Sequence, residues 1–233
     1  MEKIINGNDV YFLEVLDNKI IINDNYEGII VLDHEINVLR KIKLFEGIYI
    51  YSSFVTEKNE LLLFCPEDNK VVYVDVENKQ VYIIDIPTDF ESEILSRMIS
   101  SNSDRYIFVT NRNKYIVLDK KRKEIKRIYD ASRFDELAME KESKLLNHNN
   151  NTLQMYKDCN NRDVRDDISA DTYEDKIVIC NNKKIREICP KEGYIFNNAK
   201  IVNIHENLYL VTLSNKKAND EISILSVINI NDE

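Results

Sequence analysis

Apolar and polar positions alternate in short runs along most of this chain, and the runs come in pairs joined by a few polar residues. Three copies stand out: Ile29-Ile30-Val31-Leu32-Asp33, Val71-Val72-Tyr73-Val74-Asp75 and Tyr115-Ile116-Val117-Leu118-Asp119, spaced 42 to 44 residues apart. Each is followed by a turn and a second apolar run, at 38–44, 81–86 and 125–129. A period of two filled with β-branched and aromatic residues is the pattern of a half-buried strand. The pattern predicts strands in groups of four. The first group is 9–15, 19–23, 28–33 and 38–44, and the second 48–55, 60–65, 71–76 and 80–86. The third is 98–101, 105–110, 114–119 and 124–129, and the fourth 143–147, 152–156, 176–180 and 184–189. A last group holds only 200–205, 207–214 and 221–230.

A repeat of this length built only of strands points to a radial array of small sheets. The expected fold is all-β: a five-bladed β-propeller of four-stranded antiparallel blades, one domain over residues 1–233. The last group lacks a strand, and Lys3-Ile4-Ile5 belongs to no hairpin near it in sequence. Pairing Ile4 and Ile5 beside 221–230 would close the ring with strands from both termini in one blade and remove an open edge. Asp33, Asp75 and Asp119 recur at the end of a third strand, where an aspartate forms turns by accepting nearby backbone N–H groups. With four glycines and 28 asparagines, asparagine takes the left-handed turn positions. The phrase Asp104-Arg105-Tyr106-Ile107-Phe108-Val109-Thr110-Asn111, followed by Ile116-Val117-Leu118-Asp119, resembles YVTN-type and related WD40-like propeller repeats. The resemblance implies a propeller and a habit of binding other molecules. It carries no catalytic residue, and the Gly-His and Trp-Asp signatures of true WD40 repeats are missing.

Candidate chemistry is sparse. His34, His148 and His205 each fall at or beside a turn, with no second ligand at metal spacing, so no metal is expected. Cys65, Cys159, Cys180 and Cys189 form no Cys-x-x-Cys pair and read as reduced thiols. Four scattered glycines build no phosphate or dinucleotide loop, and the stretch 158–175 lacks the order of a calcium loop. No cofactor is implied. A glycosidase needs two carboxylates from different first strands, yet these strands supply Asp9 and Glu14 from one blade only. Lys120-Lys121-Arg122-Lys123 and Lys183-Lys184 read as solvated turns, and a net charge of −9 repels nucleic acid. No secretory leader or membrane-length apolar run is recognised, so the expectation is a soluble, cytoplasmic, non-enzymatic protein.

The acidic charge is concentrated. Three long connections, 88–98, 130–143 and 157–175, carry −2, −3 and −4, which accounts for the entire −9. On the expected topology all three emerge on one face. Short helical turns are expected around Phe90 to Leu95 and Phe134 to Met139, while 157–169 reads as a mobile loop. The partner-binding residues are expected to be Asp89, Glu91, Glu93, Asp135, Glu136, Asp163, Asp166, Asp167, Asp171 and Tyr173. The function this suggests is an inhibitor or immunity-type protein, monomeric when free, that captures a basic protein such as a nucleic-acid-acting toxin. A carbohydrate-active propeller, glycosidase-like or lectin-like, and a scaffold subunit of a larger assembly are the alternatives. A convergent carboxylate pair would favour the first, and an exposed apolar belt on the outer strands the second.

Overall fold

The computed structural model describes residues 1–56, 60–87, 95–101, 105–110, 115–127, 161–165, 167–181 and 184–231. The expected helical turn at 134–139, the expected strands 143–147 and 152–156, and residues 90–94 of the other expected turn lie outside these residues. So do Asp89, Glu91, Glu93, Asp135, Glu136 and Asp166. Leu95 instead opens a strand running to Ser101, so the expected connection 88–98 ends earlier than its polarity suggests. Twenty strands form five four-stranded antiparallel sheets among the described residues. The chain divides into two compact units, Met1–Gly47 with Tyr156–Glu233, and Ile48–Met155.

The first unit holds three sheets. Its N-terminal sheet is β2 (Leu13–Leu16), β3 (Lys19–Asp24), β4 (Gly28–Leu32) and β5 (Val38–Lys43). A second is β14 (Asn161–Arg165), β15 (Ile168–Thr172), β16 (Ile177–Asn181) and β17 (Lys184–Ile188). The third runs in the order β1 (Glu2–Asn6), β20 (Asn219–Asn229), β19 (Asn207–Lys216), β18 (Tyr194–Ile204). Strands from both ends of the chain therefore share one sheet, with Ile4 opposite Ile224 and Ile5 opposite Ser223. The second unit holds β6 (Ser52–Val55), β7 (Leu61–Cys65), β8 (Lys70–Asp75) and β9 (Gln80–Asp85). Its other sheet is β10 (Leu95–Ser101), β11 (Arg105–Thr110), β12 (Tyr115–Asp119) and β13 (Glu124–Arg127).

Inner strands are covered on both faces: β4, β7 and β15 are buried at every position, β4 and β7 with apolar residues throughout, β15 with Ser169, Asp171 and Thr172 beside Ile168 and Ala170. Outer strands such as β5 and β17 are largely exposed and rich in Lys and Arg, which blunts their open edges. Gly28 is required by close approach, since a Cβ there would stand 2.1 Å from the Ile42 carbonyl oxygen of β5. Neighbouring sheets pack face to face. Ile20, Ile22 and Leu32 of the N-terminal sheet meet Val202, Val211 and Leu225 of the C-terminal sheet. The other side of the C-terminal sheet packs Ile201 and Leu210 against Ile168, Ala170 and Ile179. In the second unit Leu62, Phe64 and Val71 pack with Phe108, Ile116 and Leu118. The recurring aspartates shape the third-to-fourth-strand turns. Asp33 accepts the N–H groups of Glu35 and Asn37 at 2.9 and 2.8 Å, Asp75 that of Asn78 at 2.9 Å, and Asp119 that of Arg122 at 3.0 Å. Asn25 and Asn69 stand in the left-handed region, at φ 48° and 52°.

The segment 157–175 corrects the sequence reading. Residues 161–165 and 168–172 are not a loop but the first two strands of a sheet, paired from Asn161 opposite Thr172 to Arg165 opposite Ile168. Asp171 is fully buried, and Asp163 lies on the edge strand facing the neighbouring sheet. Of the acids expected there, Asp167 is exposed in the β14–β15 turn, at the opposite end of the sheet from Tyr173, Glu174 and Asp175 in the β15–β16 turn. Among the described residues the segment's charge therefore does not converge on one face.

Candidate functional site

The N-terminal sheet begins later than its apolar alternation suggests, and the cause builds a candidate site. Asn23, fully buried at the end of β3, accepts the backbone N–H groups of Tyr11 and Phe12, both at 3.0 Å. Its amide donates to the carbonyls of Asp9 at 2.6 Å and Asn25 at 3.0 Å. Asn8 donates back to the Asn23 carbonyl at 3.0 Å, and Asn215 of β19 donates to that of Val10 at 2.8 Å. Residues 8–12 thus bond to side chains instead of continuing β2, and are held on both flanks. This clasp displays Tyr11 and Tyr26 as a stacked pair, with centroids 5.6 Å apart and planes 23° apart. The Tyr26 hydroxyl donates to Asp9 Oδ2, and Tyr26 remains 40% exposed. The result is a fixed aromatic surface carrying a carboxylate. Such a surface suits a cation, since an aromatic face attracts positive charge and tyrosine anchors many interfaces.

A second arrangement lies where β18 runs against β14 and β15 on one side and β2 on the other. Lys200 of β18 donates to Glu14 Oε2 of β2 at 3.2 Å. The backbone N–H of Ile201 donates to Asp163 Oδ2 of β14 at 2.7 Å, and Arg165 donates to the Ile201 carbonyl at 3.4 Å. Asn161 donates to Asn198 across the same seam. Burial pushes the Asp163 carboxyl above its usual range and the Glu14 charge adds to this, against the opposing pull of Lys200, Arg165 and the Ile201 N–H. Deeper in the same sheet, Arg162 Nε stands 3.3 Å from Asp171 Oδ1, and burial raises Asp171 despite that charge. Asp163 and Asp171 thus belong to an ionic seam between strands and sheets. Tyr173 is partly buried and donates its backbone N–H to the Lys176 carbonyl at 2.8 Å.

In the second unit Glu60, at the start of β7, is buried and accepts bonds from Tyr106 and Lys120, with Thr56 Oγ1 donating at 3.2 Å. Lys120 Nζ lies 5.0 Å from the Tyr73 ring centroid and 5.5 Å from that of Tyr106. Burial alone would raise the Glu60 carboxyl, but bonds from Lys120, Tyr106 and Tyr73, with the Lys120 charge, together hold it below its usual range. Burial and the Glu60 bonds push both tyrosine hydroxyls upward. Lys120 is therefore no solvated turn residue but a clasp between two sheets. Cys65 is buried, which pushes its thiol up to about 12 and leaves it inert at neutral pH.

Among the described residues of the expected binding set, Asp163, Asp167, Asp171 and Tyr173, only Asp163 meets another acid, Glu14, and it does so inside the seam. The signals missed were an asparagine in an otherwise apolar strand, Asn23, and a lone lysine in the apolar run of β18, Lys200.

No protein-family model matches the chain, and no curated protein matches it. Solved structures with some likeness are β-propeller-type proteins. One is virginiamycin B lyase from Staphylococcus aureus, 9% identical over 99% of this chain and 74% of that one, with a TM-score of 0.43. BamB from Moraxella catarrhalis is 11% identical over 95% of this chain and 58% of its own, at 0.36. YCF48 bound to D1 peptide is 7% identical over 95% and 69%, at 0.43. Likeness at this level leaves the reading of this chain to its own sheets and side chains.

Proposed function

We propose that the chain is a propeller-type, non-catalytic binding module that captures a basic protein inside the cell, in the manner of an inhibitor or immunity protein. The observation that carries this reading is the exposed Tyr11–Tyr26 stack with Asp9 on its rim, held in place by Asn23. An arginine or lysine from a partner would lie over the tyrosine faces with its charge toward Asp9, and the fixed backbone keeps the ordering cost low. The acids Asp89, Glu91, Glu93, Asp135, Glu136, Asp166 and Asp167 would steer the partner's approach. In a pull-down from the source cells, the wild-type chain should retain a protein of high isoelectric point. Tyr26→Ala and Asp9→Asn should lose it while keeping wild-type circular dichroism. Equal retention by all three chains, or capture of acidic proteins, would overturn the reading.

One observation favours a second reading. Glu14 and Asp163 come from first strands of different sheets and both lie near Lys200 of β18, which brings two carboxylates together as carbohydrate hydrolysis requires. Both already bond to the protein itself, which favours a structural seam. Release of nitrophenol from a glycoside panel, abolished by Glu14→Gln, would establish the second reading.

A further inference from the structure

His34 and His205, far apart in sequence, meet in the first unit. Their ring centroids are 5.9 Å apart with planes at 83°. His34 sits in the β4–β5 turn and His205 in the β18–β19 turn, so two neighbouring sheets each contribute one imidazole. Both turns are tight. The first is tied by Ile36 N–H to the Asp33 carbonyl and Asp33 N–H to the Asn37 carbonyl, each at 3.0 Å. It holds the buried Ile36 at φ 62°, a left-handed backbone that β-branched residues avoid. The second places His205 and Glu206 at φ 49° and 66°, in a two-residue hairpin that usually requires Asn-Gly. Neither imidazole therefore swings on a loose loop.

We propose that His34 and His205 form a two-imidazole site for a divalent transition-metal ion of the zinc class. Neutral imidazole is a preferred ligand of such ions. With metal–nitrogen bonds of about 2.0–2.1 Å at a tetrahedral angle, two ring centroids stand about 5 Å apart, against 5.9 Å between His34 and His205. The charge nearby suits a cation, because Asp33, Glu35 and Glu206 flank the imidazoles in the two turns. Lys3 of β1, whose Nζ donates to the Ile36 carbonyl at 2.8 Å, is the opposing charge. Among the described residues no group of three His, Cys, Asp or Glu surrounds a common point. The ion would have two protein ligands, and its remaining positions would take water or a carboxylate or imidazole from another molecule.

Zinc chloride titrated into the full chain by calorimetry at neutral pH, in a non-coordinating buffer, tests the site. One ion should bind per chain, and the histidine ring resonances of His34 and His205 should shift together in nitrogen-edited spectra. His34→Gln and His205→Gln should each weaken binding at least about tenfold. His148→Gln and Cys189→Ser should leave it unchanged, and magnesium should not compete. No saturable heat up to about 1 mM zinc, or equal binding by both histidine variants, would overturn the proposal.

Discussion

At the scale of single residues, two buried carboxylates answer pH in opposite directions. Glu60 is held below the usual range, so its contribution to stability is present at neutral pH and is lost as pH falls through its folded pKa. Asp163 is raised, mainly by burial, so the folded state prefers it protonated. Its contribution is complete below the ordinary aspartate value and is lost as pH rises through the higher folded one. As pH rises, carrying its charge in this place increasingly opposes folding. Asp163→Asn keeps an oxygen to accept the Ile201 N–H and removes the charge. The variant should melt a few degrees above wild type at pH 7, with the gap closing as pH falls toward about 4. Thermal melts across that range check it. A variant that melts lower at pH 7 would show that attraction to Lys200 and Arg165 outweighs burial.

At the scale of elements, β1 is the test of how the C-terminal sheet is completed. It ladders five residues onto β20, Met1 extends the ladder by exchanging bonds with Val227 at 2.8 and 2.9 Å, and Ile5 packs on the core shared with the N-terminal sheet. Deleting residues 1–6 should cost about 3 kcal/mol from lost hydrogen bonds and packing, and should expose the β20 edge to self-association. Differential scanning calorimetry and light scattering read both effects; an unchanged melting temperature would refute the role. This strand was legible in the sequence because Ile4 and Ile5 had no hairpin of their own. The hairpins around β4, β8 and β12 were legible for a plainer reason, since unbroken apolar runs alternate with Asp and Asn turns. The fourth group was not, because Asn161-Arg162-Asp163-Val164-Arg165 is polar yet forms a strand, its charges satisfied across a seam invisible to local periodicity. The same blindness to distant partners put Lys120 in solvent and hid the Asn23 clasp that makes β2 begin late.

At the scale of the whole molecule, on the proposed reading, the net charge of −9 would act at a distance, whichever segments carry it, while the tyrosine stack would act only on contact. The two contributions separate kinetically. Long-range attraction sets how fast a basic partner arrives, and a fixed aromatic contact sets how long it stays. Reversing Asp135, Glu136, Asp166 and Asp167 to Lys should slow association sharply and leave dissociation nearly unchanged, whereas Tyr26→Ala should do the opposite. The control cannot include Lys120, because a carboxylate there would face buried Glu60 and unfold the clasp. Lys121, Lys184, Arg186 and Lys217 are exposed, and reversing these four to Glu gives a charge change of equal size and opposite sign. That variant should associate at least as fast as wild type. The wild-type on-rate should also fall as salt rises to about 0.5 M, where the screening length shrinks to roughly 4–5 Å. Surface plasmon resonance with the partner recovered by pull-down measures all four proteins. If the two reversed sets change the on-rate alike, or salt leaves it untouched, electrostatic capture of a basic partner is the wrong account.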